Sequence, residues 1–225
     1  MTTIDLECGI SDIRHFLRAN YPQLACAIQP INPDVPEPFP EEARLLSPNA
    51  VSKRRLEFAA GRHAARKALQ LLGRSNCPIG KGQFGQPMFP DGLIGSITHT
   101  ESLAVAIVGT ANNLRGIGVD LELVQRFKPH LSDAVLTPNE LRHVNDENQL
   151  AAHFSAKEAT YKAIFTTLGK VIGFQDVELS FDDRENAFSA KAITGFSSMF
   201  PIGKDFLNGR VLTTQGMILS VALFG

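Results

Sequence analysis

The chain passes from helical to strand periodicity in each of its halves. Residues 11–19 (SDIRHFLRA) carry a short helical pattern with Ser11 placed as N-cap, and 23–29 (QLACAIQ) read as a strand. Six of the thirteen prolines fall from Pro30 to Pro48, which predicts an irregular surface excursion with no regular element. Residues 50–72 predict a long helix stopped at Gly73. The Gly- and Pro-rich stretch 78–95 predicts loops with short extended pieces, and 94–100 and 102–109 predict two strands joined by a tight turn. A further strand is expected over 115–123. Within the polar segment 126–148, Thr137-Pro138-Asn139-Glu140 has the pattern of a helix start, for a short helix through Val144. The longest helix is expected at 147–168, ended by Gly169. DVELSF, AFSAKAI, GRVLTT and MILSVALF then predict strands, with turns at DDREN, around Gly209 and at Gln215-Gly216. No repeat is visible, yet each half runs helices first and strands afterwards. The pattern predicts an α+β fold of two similar halves meeting near residue 112.

On a helical wheel the last long helix is unusual. Phe154, Tyr161, Lys162 and Phe165 lie within about 60° of Glu158, while Ala152, Ala156, Ala159 and Ala163 gather on the far side. A carboxylate and an ammonium therefore sit among aromatic rings, opposite a face small enough for close packing. Taken alone, Glu158 and Lys162 make an ordinary i,i+4 ion pair on a solvated face, worth about 0.3–0.5 kcal/mol.

Composition narrows the function classes. At 225 residues, 44% hydrophobic and 20% charged, the chain has an ordinary soluble composition. A net charge of −1 makes no overall demand for nucleic acid or an acidic membrane, so any basic site is local. Cys8, Cys26 and Cys77 show neither metal-ligand spacing nor a disulfide framework, which favours a reducing cytoplasm. The start MTTIDLECGI has acids where a signal peptide needs bases, and the apolar run 103–109 is too short to span a bilayer.

Two further clusters carry chemistry. On the first long helix Arg55, Arg62 and Arg66 lie within roughly 40° of one another, with Arg54 and Phe58 beside them. Single arginines here read as a solvated face, but clustered guanidiniums also suit phosphate, being planar, permanently charged and bidentate. Glycines at 80, 82 and 85 flank Lys81, without the spacing of the common phosphate loop. His99 ends a strand. Along 115–123, Val119, Leu121 and Leu123 point one way and Asp120 and Glu122 the other. Either this is the polar face of an exposed strand, or the two carboxylates converge on a divalent ion. Mg²⁺ is usually held by one or two carboxylates with substrate phosphates. The inventory of Asp120, Glu122 and Glu158 with Arg54, Arg62, Lys81, His99, Lys157 and Lys162 suits a polyphosphorylated small ligand bound through a metal.

The ordered blocks RRLEF..GRHAAR, PIGKG..G.P.FP.G..GSITH, GVDLE and F.AKEATYKA resemble those of the 4′-phosphopantetheinyl transferases, in the surfactin-type group and its enterobactin synthetase component D branch. The resemblance runs from about residue 50 to 175. It implies a pseudo-two-fold pair of α/β halves with antiparallel sheets, and an active site between them. The half 1–112 would supply coenzyme A phosphate contacts, and 113–225 the metal carboxylates and the KEAxxxK helix. It implies transfer of the 4′-phosphopantetheine arm of coenzyme A to a serine of an apo acyl, peptidyl or aryl carrier protein, with 3′,5′-ADP released. Siderophore, polyketide or nonribosomal peptide synthesis would be served. By the same resemblance Asp120, Glu122 and Glu158 hold Mg²⁺ (or Mn²⁺) on the pyrophosphate, and Glu158 with Lys162 forms the catalytic pair, Glu158 as base. Arg54, Arg62, Lys81, Gly82, Thr98 and His99 contact the 3′-phosphate and pyrophosphate, and Lys157 and Lys162 neutralise the pyrophosphate. Phe154 and Phe89-Pro90 stand where the family usually has Trp and Trp-Pro, and Thr98-His99-Thr100 replaces Ser-His-Ser. A cytoplasmic monomer without a transmembrane segment or nucleic-acid partner is expected. The competing readings are another metal-dependent pyrophosphate hydrolase and a non-catalytic coenzyme A-binding module.

Overall fold

Two long helices with alanine-rich faces each lie on an antiparallel sheet. The computed structural model describes residues 5–112, 114–182 and 184–225. Residues 1–4, used above in judging the N-terminus, and residue 183 of the DDREN turn lie outside the described residues. The described elements run in the order α1 (Leu6–Asn20), β1 (Ala25–Pro30), α2 (Pro40–Ala43), α3 (Ser52–Leu71), β2 (Gly80–Lys81), β3 (Pro87–Met88), β4 (Leu93–His99), β5 (Leu103–Thr110), β6 (Gly116–Leu123), α4 (Ser132–Val135), α5 (Glu147–Leu168), β7 (Val177–Asp182), β8 (Ala187–Ala192), β9 (Asp205–Thr214) and β10 (Met217–Phe224). Helices and antiparallel sheets make this an α+β fold. The chain divides into two compact units, Arg14–Asn113 and Met1–Ile13 with Leu114–Gly225. Among the described residues no helix is long and apolar enough to cross a membrane.

In the unit Arg14–Asn113 a three-stranded sheet has the order β1-β5-β4, and β2 and β3 form a separate hairpin. Ala64, Ala65, Ala68 and Leu69 of α3 are fully buried and pack with Ala27, Ile79, Leu93, Ala106 and Val108. Small side chains on the helix let it lie close to the sheet, so α3 presents its next face, with Arg54, Phe58 and Arg62, beside the ends of β2 and β4.

In the other unit the five strands run β6-β10-β9-β8-β7. Helix α5 starts at Asp146, whose carboxylate accepts from Gln149 N (2.8 Å), and stops at Gly169 in the left-handed region (φ 64°). Ala156, Ala159 and Ala163 bury against Ala222 and Phe224. The closest approach is to β6. A Cβ built on Gly116 would sit 1.7 Å from Ala163 O, and one on Gly118 equally close to Ala159 O. Only glycine admits a helix backbone at that distance.

Several expectations need correction. Helix α1 begins at Leu6, so Ser11 lies inside it, because Leu6 and Ile10 extend the apolar spacing of Ile13 and Leu17 upstream. The proline-rich stretch contains α2, with Pro40 in its first turn and Glu42 accepting from Phe39 N (3.0 Å). Gly209 is not at a turn: β9 runs straight through it. A Cβ there would be 2.2 Å from the Phe188 ring, so the glycine makes room for an aromatic. The Gln215-Gly216 turn is present, with φ of 46° and 71°.

The expected helix through Val144 shrinks to one 3₁₀ turn, Glu140–Arg142. The capping signal is nevertheless real, since Thr137 N donates to Glu140 Oε2 (2.7 Å) and Glu140 N to Thr137 Oγ1 (3.3 Å). Glu140 is drawn inward instead of starting a helix. Its Oε1 accepts from Leu179 N (2.7 Å), and its Oε2 from Lys157 Nζ (2.7 Å). Lys157 also donates to Val135 O (2.9 Å) and Phe174 O (2.8 Å) and has no exposed surface. This buried pair ties the 135–140 segment, the start of β7 and α5 together. Burial lowers the Lys157 pKa and Glu140 opposes that shift.

Two outcomes test this packing. Gly118→Ala lowers stability by about 3 kcal/mol or more, because overpacking meets backbone and not a side chain that can swing away; an unchanged urea midpoint would contradict the close approach. Lys157→Met costs about 3–5 kcal/mol by stranding a buried carboxylate, and Glu140→Gln in the same chain recovers part of the loss. Urea titration of the single and double variants checks this, and strict additivity would show that the pair does not act as one.

Candidate functional site

The acidic cluster follows from the helix–strand contact. Gly116, Gly118, Asp120 and Glu122 share one face of β6, and the first two touch α5. Asp120 is therefore delivered to the same helix near Lys162. Lys162 Nζ donates to Asp120 Oδ1 (2.7 Å) and Val119 O (3.1 Å), with about a third of its side chain exposed. Glu122 accepts from Arg126 Nη1 (3.2 Å). The exposed-strand alternative fails, because Asp120 is 4% exposed and both faces of β6 are covered.

Burial, reinforced by Asp120, pushes the Glu122 carboxyl up to about 7, while Arg126 and Lys162 oppose the shift. Burial also raises Glu158; Lys162 holds it down and Asp120 adds to the rise. Crowded carboxylates with raised affinity for protons are equally short of cations, and a divalent ion is the chemical remedy. Among the described residues no three His, Cys, Asp or Glu side chains form a ready-made metal cage. Mg²⁺ does not need one, since it keeps waters and takes substrate phosphates as ligands, so the donor set fits. Phe154 stands between Phe127 and Phe174 (ring centroids 5.1 and 5.2 Å), and Tyr161 packs on Phe174 (5.4 Å) and donates to Gly173 O (2.8 Å). These rings fix the helix face that carries Glu158.

The basic residues of the unit Arg14–Asn113 line a cavity of about 520 Å³. Arg54, Glu57, Phe58, Gly61 and Arg62 enter it from α3, Lys81 from β2, and Ile97 and His99 from β4. Arg62 is 6% exposed, lies 4.7 Å over the Phe58 ring and donates to Gly80 O (3.1 Å), with its Nε buried and without a partner. Burial lowers it to about 10. Arg54 Nη1 meets His99 Nε2 (2.9 Å) and Glu57 Oε2 (3.5 Å).

Of the residues singled out by sequence, the structure brings Asp120, Glu122, Glu158 and Lys162 together, and separately Arg54, Arg62, Lys81 and His99. It does not place five others as expected. Lys157 is committed to Glu140 and two carbonyls in the interior, so it does not present a charge to phosphate. Thr98 is buried and absent from the cavity wall, because strand alternation turns it away from Ile97 and His99. Gly82 donates its N–H to Gln86 O (2.8 Å) and so closes the β2–β3 hairpin. Arg66 pairs with buried Glu42 beneath the cavity. Arg55 likewise caps the preceding segment through Ala50 O (2.9 Å) and Pro48 O (2.6 Å). Sequence reasoning missed Glu57, whose one signal was its position three residues after Arg54. It also missed Glu42, which lies among prolines and has no pattern to mark it.

Comparison with known proteins assigns both parts of the chain to one family. The family profile of the 4′-phosphopantetheinyl transferase N-terminal domain matches residues 41–109, which contain the basic cavity. The profile of the 4′-phosphopantetheinyl transferase superfamily matches residues 116–206, which contain the acidic cluster. The chain is 37% identical over 182 residues to the 4′-phosphopantetheinyl transferase PptT of Mycobacterium tuberculosis, covering 79% of this chain and 78% of the relative. It is 31% identical over 198 residues to the transferase Npt of Nocardia iowensis, covering 82% and 88%. Enterobactin synthase component D of Salmonella typhi is 34% identical over 149 residues, covering 63% of this chain and 60% of the relative. With both halves matched in order and two relatives aligned over most of their length, the chain belongs to the 4′-phosphopantetheinyl transferases, enzymes that move the phosphopantetheine arm of coenzyme A onto carrier proteins.

Proposed function

We propose that Asp120, Glu122 and Glu158 hold Mg²⁺, or Mn²⁺, against the pyrophosphate of coenzyme A, and that Arg54, Arg62, Lys81 and His99 take its 3′-phosphate end. The observation that carries this reading is the burial of Glu122 beside Asp120, with its carboxyl pushed up to about 7. Such a group is stabilised by a bound cation. When bound, the metal neutralises pyrophosphate charge and polarises a phosphoryl oxygen.

The chain's own residues supply positioning and proton transfer. Burial raises the proton affinity of the Glu158 carboxylate, the direction that suits a general base. It takes the proton of the carrier serine as that oxygen bonds to the phosphorus bearing pantetheine, and the bond to the departing 3′,5′-ADP breaks. Lys162, held at Asp120 and partly exposed, stabilises negative charge developing on the phosphoryl oxygens. Phe154 and its ring neighbours keep α5 in place during the step. We further propose that the acceptors are acyl, peptidyl or aryl carriers of siderophore, polyketide or nonribosomal peptide synthesis. A cytoplasmic setting accords with three free cysteines.

The transfer is tested by mass spectrometry of an apo carrier protein incubated with coenzyme A and Mg²⁺. The carrier gains one phosphopantetheine arm. Arm release to water without a carrier would favour a hydrolase, and coenzyme A retention without turnover would favour a binding module. Chelation with EDTA stops transfer, and added Mg²⁺ restores it; full activity in EDTA would remove the metal from the reading. Glu158→Ala lowers the rate by at least about 10²–10⁴-fold, the range for a lost general base, with an unchanged circular dichroism spectrum. Near-native turnover in that variant would take Glu158 out of both roles.

A further inference from the structure

The bond between Arg54 and His99 fixes the protonation of the imidazole. A guanidinium has only donors, so His99 Nε2 at 2.9 Å must accept, and the ring is neutral with its proton on Nδ1. That proton points toward Thr100 O (3.3 Å) and the carboxylate of Glu57 (4.0 Å). A phosphate dianion offers only acceptors. For Nε2 to meet it, Nε2 must carry a proton. The other neutral tautomer would turn the Nδ1 lone pair onto a carbonyl and a carboxylate, two groups that repel it. What the surroundings permit is the imidazolium, donating through both nitrogens. The charged groups at this place are Arg54, Glu57 and Arg62 from α3 and Lys81 from β2; Lys53 and Glu101 nearby are exposed and paired with each other (3.4 Å). Among the described residues, Glu57, with 13% of its side chain exposed, is the one carboxylate lining the cavity.

We infer that Glu57 is a positioning residue that couples phosphate capture in this cavity to uptake of one proton by His99. On binding, Arg54 leaves Nε2 for the phosphate, Nε2 gains a proton from solvent, and Glu57 provides the countercharge at Nδ1. The inference rests on the reading that the cavity takes the 3′-phosphate of coenzyme A. The sign follows from linkage: the bound ring holds its proton to higher pH than the free ring, so the affinity due to the 3′-phosphate is lost as pH rises. That affinity therefore falls as the pH is raised, with a slope of at most about tenfold per pH unit.

The test is calorimetry at pH 7.5, in buffers of different ionisation enthalpy and without metal, with coenzyme A and with 3′-dephospho-coenzyme A. Both ligands carry the pyrophosphate, so their difference isolates the monoester, which is already a dianion at this pH. The wild type takes up close to one proton more with coenzyme A than with the dephospho ligand. His99→Gln abolishes the difference. Glu57→Gln reduces it by half or more and raises the KM for coenzyme A, with kcat at saturation within about twofold of wild type. Tighter binding of coenzyme A without extra proton uptake overturns the inference and leaves the reading of the cavity intact. Equal affinity for the two ligands overturns that reading and the inference with it. Wild-type proton uptake in Glu57→Gln removes Glu57 from the coupling.

Discussion

The helix–strand contact at Gly116 and Gly118 is the constraint on which the acidic cluster depends. The two glycines let the carbonyls of Ala159 and Ala163 approach to a distance that any Cβ would block. Asp120 and Glu122 continue the same strand face, so the register that seats the glycines also sets the carboxylates beside α5. Partial exclusion of water then raises Glu122 and Glu158. The same close fit has a cost. Ser155 and Ser220 are fully buried with hydroxyls that lack partners, each a penalty of about 1–3 kcal/mol. Small residues at this layer matter enough to packing that polar ones are tolerated.

Two lysines five residues apart on α5 show how one helix serves packing and chemistry together. Lys162 lies about 40° from Glu158 on the helical wheel and shares its face, whereas Lys157 lies about 100° away. That difference sends Lys157 inward, where Glu140 and two carbonyls satisfy all three of its donors, and leaves Lys162 partly exposed at Asp120. A buried pair is weak support for net stability but strongly penalises loss of one partner. Lys157 therefore acts on Glu158 indirectly, by fixing the helix next to the 135–140 segment.

The features legible in the sequence were those set by local rules. The end of helix α5 could be placed because Gly169 is an ordinary cap residue, and the β9–β10 turn because Gln215-Gly216 is a turn pair. Asp120, Glu122 and Glu158 could be named because carboxylates on a strand face and on an aromatic helix face are locally odd. What failed depended on partners far along the chain. Glu140 read as a helix cap, and only its bond to Leu179 N shows why the helix stops after one turn. Gly209 read as a turn because the Phe188 ring that fills its place belongs to the neighbouring strand. Thr98 and Lys157 sat in motifs whose neighbours face the sites, and a motif does not say which of its side chains turns inward.

The basic cavity differs from a simple patch of positive charge. Arg66 is neutralised by Glu42, and Arg54 is engaged with Glu57 and His99 before any ligand arrives. Arg62 is buried with an unsatisfied Nε, a state that an incoming acceptor can relieve. A weak or singly charged ligand gains little here, because it must replace existing bonds of similar strength. A dianion that reaches Arg62, Lys81 and Arg54 together makes charge-assisted bonds stronger than those it displaces. Internal pairing thus holds the guanidiniums in position and discriminates against lesser anions, at the expense of some affinity for the correct one. Specificity at this end of the molecule comes from competition within the cavity as much as from its net charge.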